Sequence, residues 1–208
     1  SVAGCVAAVQ VFTNGSATLE FSGLSSTFGH FAFQMDGFSA FMVGMIALLA
    51  FTTSLHSIAY LEEYKNQGLG ELGFFNNLFI AAMLLVVTVA NAFYFLIFWE
   101  LMTLASYFLV IFEQEKKESV SAGYLYFLIA HIGTALIMLS FFVLYKSTGS
   151  FDFSSFRDAN LPLATKSLVF LLAFFGFGAK AGIVPLHIWL PRAHPAAPSH
   201  ASALLSGV

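Results

Sequence analysis

Charge is what this sequence has least of. Its 208 residues carry eight Lys and Arg and eleven Asp and Glu, 9% in all, where a soluble domain holds about 25%. So few charges cannot give a globule of this size a charged skin, which excludes a soluble enzyme, a disordered chain and a coiled coil. The net charge is −3, which leaves no basic patch large enough for nucleic acid. Cysteine occurs once, as Cys5, excluding an internal disulfide framework and any Cys-rich metal site. Nothing forms a nucleophile–base pair, a phosphate loop, or a flavin or nicotinamide fingerprint. What is abundant is apolar: 59% of the residues, with 26 phenylalanines. That composition suits a surface facing a lipid bilayer and identifies an integral membrane protein.

Runs without charge locate the spans. Gly37 to Leu61 is the first. Leu72 to Phe112 holds one charge, Glu100, and is too long for one helix. It divides at the polar Asn91 into spans of about 72–89 and 92–112. Ser119 to Tyr145 is a fourth, and Ser167 to Leu190, with the single charge Lys180, a fifth. A sixth begins at Ser199, its possible N-cap, and the chain stops at Val208. A stretch that short does not cross a core of about 30 Å, and the chain starts at Ser1, so it reads as a piece of a longer protein. The expected fold is an all-α polytopic bundle: five complete spans, a truncated sixth and one broken helix. It is organised as 1–36, the end of an earlier span and an external loop; 37–61, a leading helix; and 72–208, a first repeat.

The connections agree. Glu62-Glu63-Tyr64-Lys65-Asn66-Gln67-Gly68 and Glu113-Gln114-Glu115-Lys116-Lys117-Glu118 are charged, and Phe151-Asp152-Phe153 reads as a cap and first turn of a short interfacial helix. Tyr60, Tyr64 and Tyr145 stand at span ends, where amphipathic rings anchor. Residues 17–22 alternate in the strand period after a Thr13-Asn14-Gly15-Ser16 turn, and Ser25-Ser26-Thr27 is polar loop. Lys65, Lys116, Lys117 and Arg192 on one side against Lys146, Arg157 and Lys166 on the other give only a weak lean toward a cytoplasmic side.

Glu100 and Lys180 are the two formal charges inside spans. Each costs about 2.5–3.5 kcal/mol at a helix centre, so such residues face a bundle interior or a water-filled path. Thr103 and Tyr107 share a stripe with Glu100. Tyr124, His131 and Thr134 form a stripe on the next span, and histidine ordinarily titrates near neutrality. Around Lys180 stand Gly176, Gly178 and Gly182, with Pro185 and His187 following. Pro185 removes a donor and opposes the carbonyl of Ala181, so the helix is expected to break beside the lysine, as in ion sites of transporters. Burial disfavours the charged form of both Glu100 and Lys180, while proximity favours it. A pair so balanced suits a proton-transfer step. The bland alternatives are interhelical hydrogen bonds for Thr103 and Tyr107, a packed histidine, a plain proline kink and a structural ion pair. His194 and His200 form a weak metal or proton signal and read as polar residues at a membrane surface.

The stretch "FGFGAKAGIVPLHIWLPRAHPAAPSHASALLSGV", 175–208, resembles the signature of the antiporter-like proton-conducting membrane subunits of NADH:quinone oxidoreductase, multisubunit cation/proton antiporters and membrane-bound hydrogenases. "FWELMTLASYFLVIFE", 98–113, is similar to that family's glutamate-bearing helix, and "MDGFSAFM" opens the first span as members do. The wording "WLPRAHPAAPSH" lies nearest the hydrogenase-4 component B and formate hydrogenlyase subunit 3 branch. The resemblance implies inverted five-helix repeats, the second not present here. It implies a relay through Glu100 and Lys180, with His131 at a position where relatives place a polar group and His187 as a further candidate. Gly178, Gly182 and Pro185 would form the broken helix. It further implies no cofactor in this subunit, other membrane subunits and a peripheral redox arm with iron–sulfur clusters as partners, and a bacterial or archaeal inner membrane. The function expected is redox-driven proton translocation; the alternative is a subunit of a multisubunit cation/proton antiporter.

Overall fold

Backbone N–H and C=O groups in a bilayer find no water, so a spanning segment must satisfy them internally as helix. The computed structural model describes residues 2–21, 29–60 and 68–207. The expected Ser25-Ser26-Thr27 loop, and the charged connection carrying Glu62, Glu63, Tyr64 and Lys65, lie outside the described residues. Helix α1 (Val2–Asn14) leads into a hairpin of β1 (Ala17–Glu20) and β2 (Ala32–Met35). The strands pair antiparallel, Ala17 opposite Met35 and Glu20 opposite Ala32. Then come α2 (Gly37–Tyr60), α3 (Leu69–Thr88), α4 (Ala92–Val110), α5 (Lys117–Thr148), α6 (Phe153–Arg157) and α7 (Leu163–Ala181). A 3₁₀ turn, Leu186–Trp189, runs into α8 (Leu190–Ala196), and α9 is Ser199–Gly207. Five helical stretches are long and apolar enough to cross a membrane: Gly37–Ile58, Leu69–Thr88, Ala92–Val110, Lys117–Thr148 and Leu163–Ala196.

Where the elements outrun the charge-free runs, the reason is local. Helix α5 begins at Lys117 and ends past Lys146 because charged residues are good helix formers that extend into the headgroups. Helix α7 starts at Leu163, just after Pro162, whose fixed φ suits a helix entry. Ser199 is the first residue of α9 rather than its cap; the Pro198 carbonyl accepts from Ser202 N–H at 2.9 Å. Strand β2 covers residues that the sequence places in a loop. It forms because the turn between α3 and α4 offers it a partner: Ala90 N–H donates to the Ala32 carbonyl at 2.9 Å.

Asn91 shows how that turn is made inside the bundle. It is fully buried and caps α4 by accepting the Phe93 N–H at 2.9 Å. Its amide donates to Asp152 Oδ1 at 2.7 Å. On the other side, Phe153 N–H reaches the Ala90 carbonyl and Ala92 N–H the Phe151 carbonyl, at 3.1 and 2.8 Å. Asp152 therefore does not cap α6 with its side chain; the carboxylate is engaged by Asn91 and by Ser150 Oγ at 3.0 Å.

Helices α5 and α7 approach at Gly133 and Gly176. A Cβ on Gly133 would stand 2.8 Å from the Gly176 carbonyl oxygen and 2.9 Å from Ala179 Cβ, and one on Gly176 would stand 2.7 Å from Ile137 Cγ1. Small residues at such a crossing let two backbones touch. On the other flank, Phe79 and Met83 of α3 pack against Met102 and Leu109 of α4 and Leu204 of α9.

Two outcomes follow. Gly176→Leu forces the crossing apart, and overpacking of this kind costs about 1–3 kcal/mol. Unfolding in detergent should shift accordingly, with Gly176→Ala milder in the same direction; a Leu variant as stable as the parent would contradict the contact. At the entrance to α2, Asp36 accepts the Ser39 N–H at 2.8 Å. That bond is the main reason its carboxyl titrates below the ordinary 3.8, with smaller help from the Phe38 N–H and Arg157. The folded state thus binds this proton less readily than the unfolded chain. The stabilisation is complete above the ordinary carboxylate value and is lost as pH falls through the lowered one. Asp36→Asn, which caps without titrating, should show a smaller loss of melting temperature between neutral and acid pH than the parent.

Candidate functional site

The two charges inside the spans stand on separate elements: Glu100 in α4, and Lys180 at the penultimate position of α7. They do not pair with each other. Glu100 Oε2 lies 3.1 Å from His131 Nε2 on α5. His131 Nδ1 lies 2.9 Å from the carbonyl oxygen of Phe127, one turn back. A carbonyl only accepts, so Nδ1 carries a hydrogen. Nε2 and Oε2 then meet as two lone-pair atoms unless one proton sits between them. That proton makes either an imidazolium facing a carboxylate or a neutral imidazole facing a carboxylic acid. Both side chains are about one-third exposed, 38% for His131 and 31% for Glu100. The second carboxyl oxygen, Oε1, is buried and makes no hydrogen bond.

Lys180 is held elsewhere. Its ammonium donates to Thr103 Oγ1 at 3.1 Å and to the Tyr126 hydroxyl. It also lies 4.8 Å from the centre of the Tyr126 ring, a cation–π arrangement. Thr103 donates its own hydrogen to the Trp99 carbonyl at 3.0 Å. Tyr126 hydroxyl and Ser106 Oγ are 2.5 Å apart, and Ser106 also reaches the carbonyls of Met102 and Thr103 at 2.9 Å. Thr103, Ser106 and Tyr126 are all fully buried. The direct Glu100–Lys180 pair suggested by the sequence is thereby corrected. Thr103, one turn beyond Glu100 on the same stripe, accepts from the lysine, while His131 engages the carboxylate.

The chain breaks immediately after Lys180. Helix α7 ends at Ala181, and Gly182 takes the left-handed conformation, φ 73°, that a side chain resists. The Gly178 carbonyl receives the N–H groups of both Gly182 and Ile183. A Cβ on Gly178 would collide with the Ile183 side chain folded back over it. The helix has therefore ended before Pro185, whose ring never meets a helical Ala181 carbonyl. The Ala179 carbonyl accepts Trp189 Nε1–H at 2.9 Å, so the break stays satisfied within protein. A cation in the last turn of α7 also faces the negative end of the helix dipole.

Other candidates fall differently. Thr134 is buried and donates to the Ala130 carbonyl at 3.1 Å, and Tyr107 packs its ring on Phe127. Tyr124 is exposed and outside the cluster. His187 is exposed on the 3₁₀ turn and bonds to neither charged group. His194 and His200 are not surface residues as expected: His194 is half-buried with Nδ1 3.1 Å from Ser202 Oγ, and His200 is buried. A cavity of about 530 Å³ is lined by Lys180, Trp189, His194, Met83, Met102 and Leu204. The residue that sequence reasoning missed is Tyr126. The stripe counted through His131 passes it by, but it lies on the face of Gly123, Ala130 and Gly133, all buried. A tyrosine among small residues was the available signal.

The Phe127 contact fixes a testable tautomer. Nitrogen-15 spectra of His131 in the intact protein should show Nδ1 protonated at every pH and exchange confined to Nε2. A bare Nδ1 with a protonated Nε2 would overturn the assignment.

With this geometry in hand, similarity to known proteins is specific. The family model described as "NADH:quinone oxidoreductase/Mrp antiporter, TM" matches residues 89–208. Hydrogenase-4 component B of Escherichia coli (strain K12) is 55% identical over 181 residues, covering 87% of this chain and 27% of that protein. The chain thus spans about a quarter of that relative. In fold, a chain of the membrane-bound sulfane sulfur reductase, an archaeal respiratory membrane complex, superposes with a TM-score of 0.85 at 20% identity, covering 99% of this chain and 43% of that one. A chain of the Mrp complex from Dietzia sp. DQ12-45-1b superposes at 0.75 with 21% identity, covering 98% and 38%. The chain is therefore a multi-pass membrane protein and belongs to the NADH:quinone oxidoreductase/Mrp antiporter transmembrane family.

Proposed function

We propose that the chain is part of a proton-translocating membrane subunit of a redox-driven complex of the hydrogenase or NADH:quinone oxidoreductase type. The observation that carries this is the Glu100–His131 contact, where a pinned tautomer leaves one proton between two basic atoms. Loading that proton takes the pair from net charge −1 to 0 without moving a helix. Lys180, held through Thr103 one turn along α4, experiences the change. A change of one unit charge acts on its surroundings in proportion to inverse distance, and more strongly the lower the effective dielectric constant, so the lysine bonded one turn along the same helix feels it. Glu100, His131 and Lys180 are the relay in this reading; His187 takes no part. Identity to a hydrogenase-4 component supports a complex with further membrane subunits in a bacterial or archaeal inner membrane. Electron carriers, including iron–sulfur clusters, belong on this reading to a peripheral arm, and this subunit holds no cofactor.

Likeness to an Mrp complex chain favours a second reading, a subunit of a cation/proton antiporter. One experiment separates the two. In proteoliposomes containing the full complex, Glu100→Gln and Lys180→Ala should each abolish acidification driven by electron transfer. Unchanged proton stoichiometry in both variants would remove the relay. Sodium-dependent dissipation of a pH gradient with no electron donor, lost in the same variants, would select the antiporter.

A further inference from the structure

We propose that Tyr126 is the positioning residue of Lys180, an inference that rests on the relay reading. A lysine nitrogen partly withdrawn from solvent needs acceptors, and its two hydroxyl partners are both committed to presenting lone pairs. Thr103 has given its hydrogen to the Trp99 carbonyl. Ser106 has carbonyls of its own helix to donate to, which leaves its oxygen to accept the Tyr126 hydroxyl hydrogen. The hydrogen-bond sequence is therefore polarised one way: Lys180 to Tyr126 to Ser106 to backbone carbonyl. Such a cradle fixes where the lysine nitrogen stands. The Tyr126 ring adds the cation–π face beneath the ammonium.

The same ring connects the lysine to the far side of the break. Trp189 packs on Tyr126 with centroids 4.9 Å apart and is fixed by its own bond to the Ala179 carbonyl. Tyr126 thus touches α4 through Ser106, α7 through Lys180, and the segment beyond the break through Trp189. Lys180 also lines the cavity it shares with His194. The tyrosine sets the lysine at the junction of that cavity and the stripe that bears Glu100. Being fully buried, it has no solvent to orient it otherwise.

The test uses the full complex in proteoliposomes and reads protons moved per electron. Tyr126→Phe keeps the ring and the packing and removes only the hydroxyl. That takes away one of the two hydroxyl acceptors of the lysine nitrogen, so the ratio should fall severalfold in a complex that assembles as the parent does. Thr103→Val should lower it in the same direction and Thr103→Ser should restore it, a pattern that packing alone does not give. An unchanged ratio in Tyr126→Phe, with Lys180→Ala inactive, overturns the cradle and leaves the relay standing. An unchanged ratio in Lys180→Ala overturns both. If Tyr126→Phe does not assemble, Ser106→Ala, which takes the acceptor from the Tyr126 hydroxyl, decides: a lowered ratio supports the proposal and an unchanged one overturns it.

Discussion

The near-contact of α5 and α7 at Gly133 and Gly176 is the constraint on which the site depends. With backbone against side chain at under 3 Å for any added Cβ, the two helices have little freedom to separate or slide. That fixes how far Lys180, one turn beyond Gly176, can reach across to Tyr126, two turns before Gly133. Helix association in a bilayer has no hydrophobic drive, since lipid is as apolar as leucine. Close packing and buried hydrogen bonds must supply it instead. The glycine crossing gives the first, and the Lys180–Tyr126–Ser106 sequence gives the second. Each makes the other possible.

The two interruptions of helix inside the bundle solve the same problem in different ways. At Asn91 the chain turns between α3 and α4, and neighbouring extended segments supply the missing partners: β2 on one side, 151–153 on the other. A buried asparagine satisfies the rest through its own side chain. At Gly182 no strand pairs with the chain among the described residues. Termination relies on the left-handed glycine, on one carbonyl taking two N–H groups, and on the Trp189 indole. The first interruption is stitched through backbone on both flanks; the second is closed by its own backbone turn and one side chain, next to the charge.

The spans were legible because charge is so scarce that its absence marks each one. Asn91 was legible because an amide near the middle of an apolar run too long for one helix marks a break, and it is buried as well. The break after Lys180 was legible in its glycines, though Gly182 rather than Pro185 ends the helix, since a left-handed residue acts before the missing donor is met. The partners of the two charges were not legible. Glu100 and Lys180 are opposite in sign and mid-span, and sequence offers no reason to keep them apart. Which helix face meets which is decided by the crossing of α5 and α7, a long-range contact that no periodicity within α5 reveals. Tyr126 was overlooked for the same reason: its face reads as packing until the neighbour that needs an acceptor is in place.

Keeping the charges apart has a physical consequence of its own. A direct buried ion pair is a deep well; both members stay charged, and breaking it leaves each uncompensated. Here each charge already has its own compensation: an imidazole for the carboxylate, and hydroxyls with an aromatic face for the ammonium. The proton of the Glu100–His131 pair can move between oxygen and nitrogen with no change in net charge, and only its departure is felt by Lys180. Thr103 lies between the two units along α4, one turn from Glu100 and bonded to the lysine. Coupling through such an arrangement is set by distance and dielectric, and it needs no contact between the two charges to be broken. A relay built from two satisfied units rests in neither state so firmly that a neighbouring charge cannot shift it.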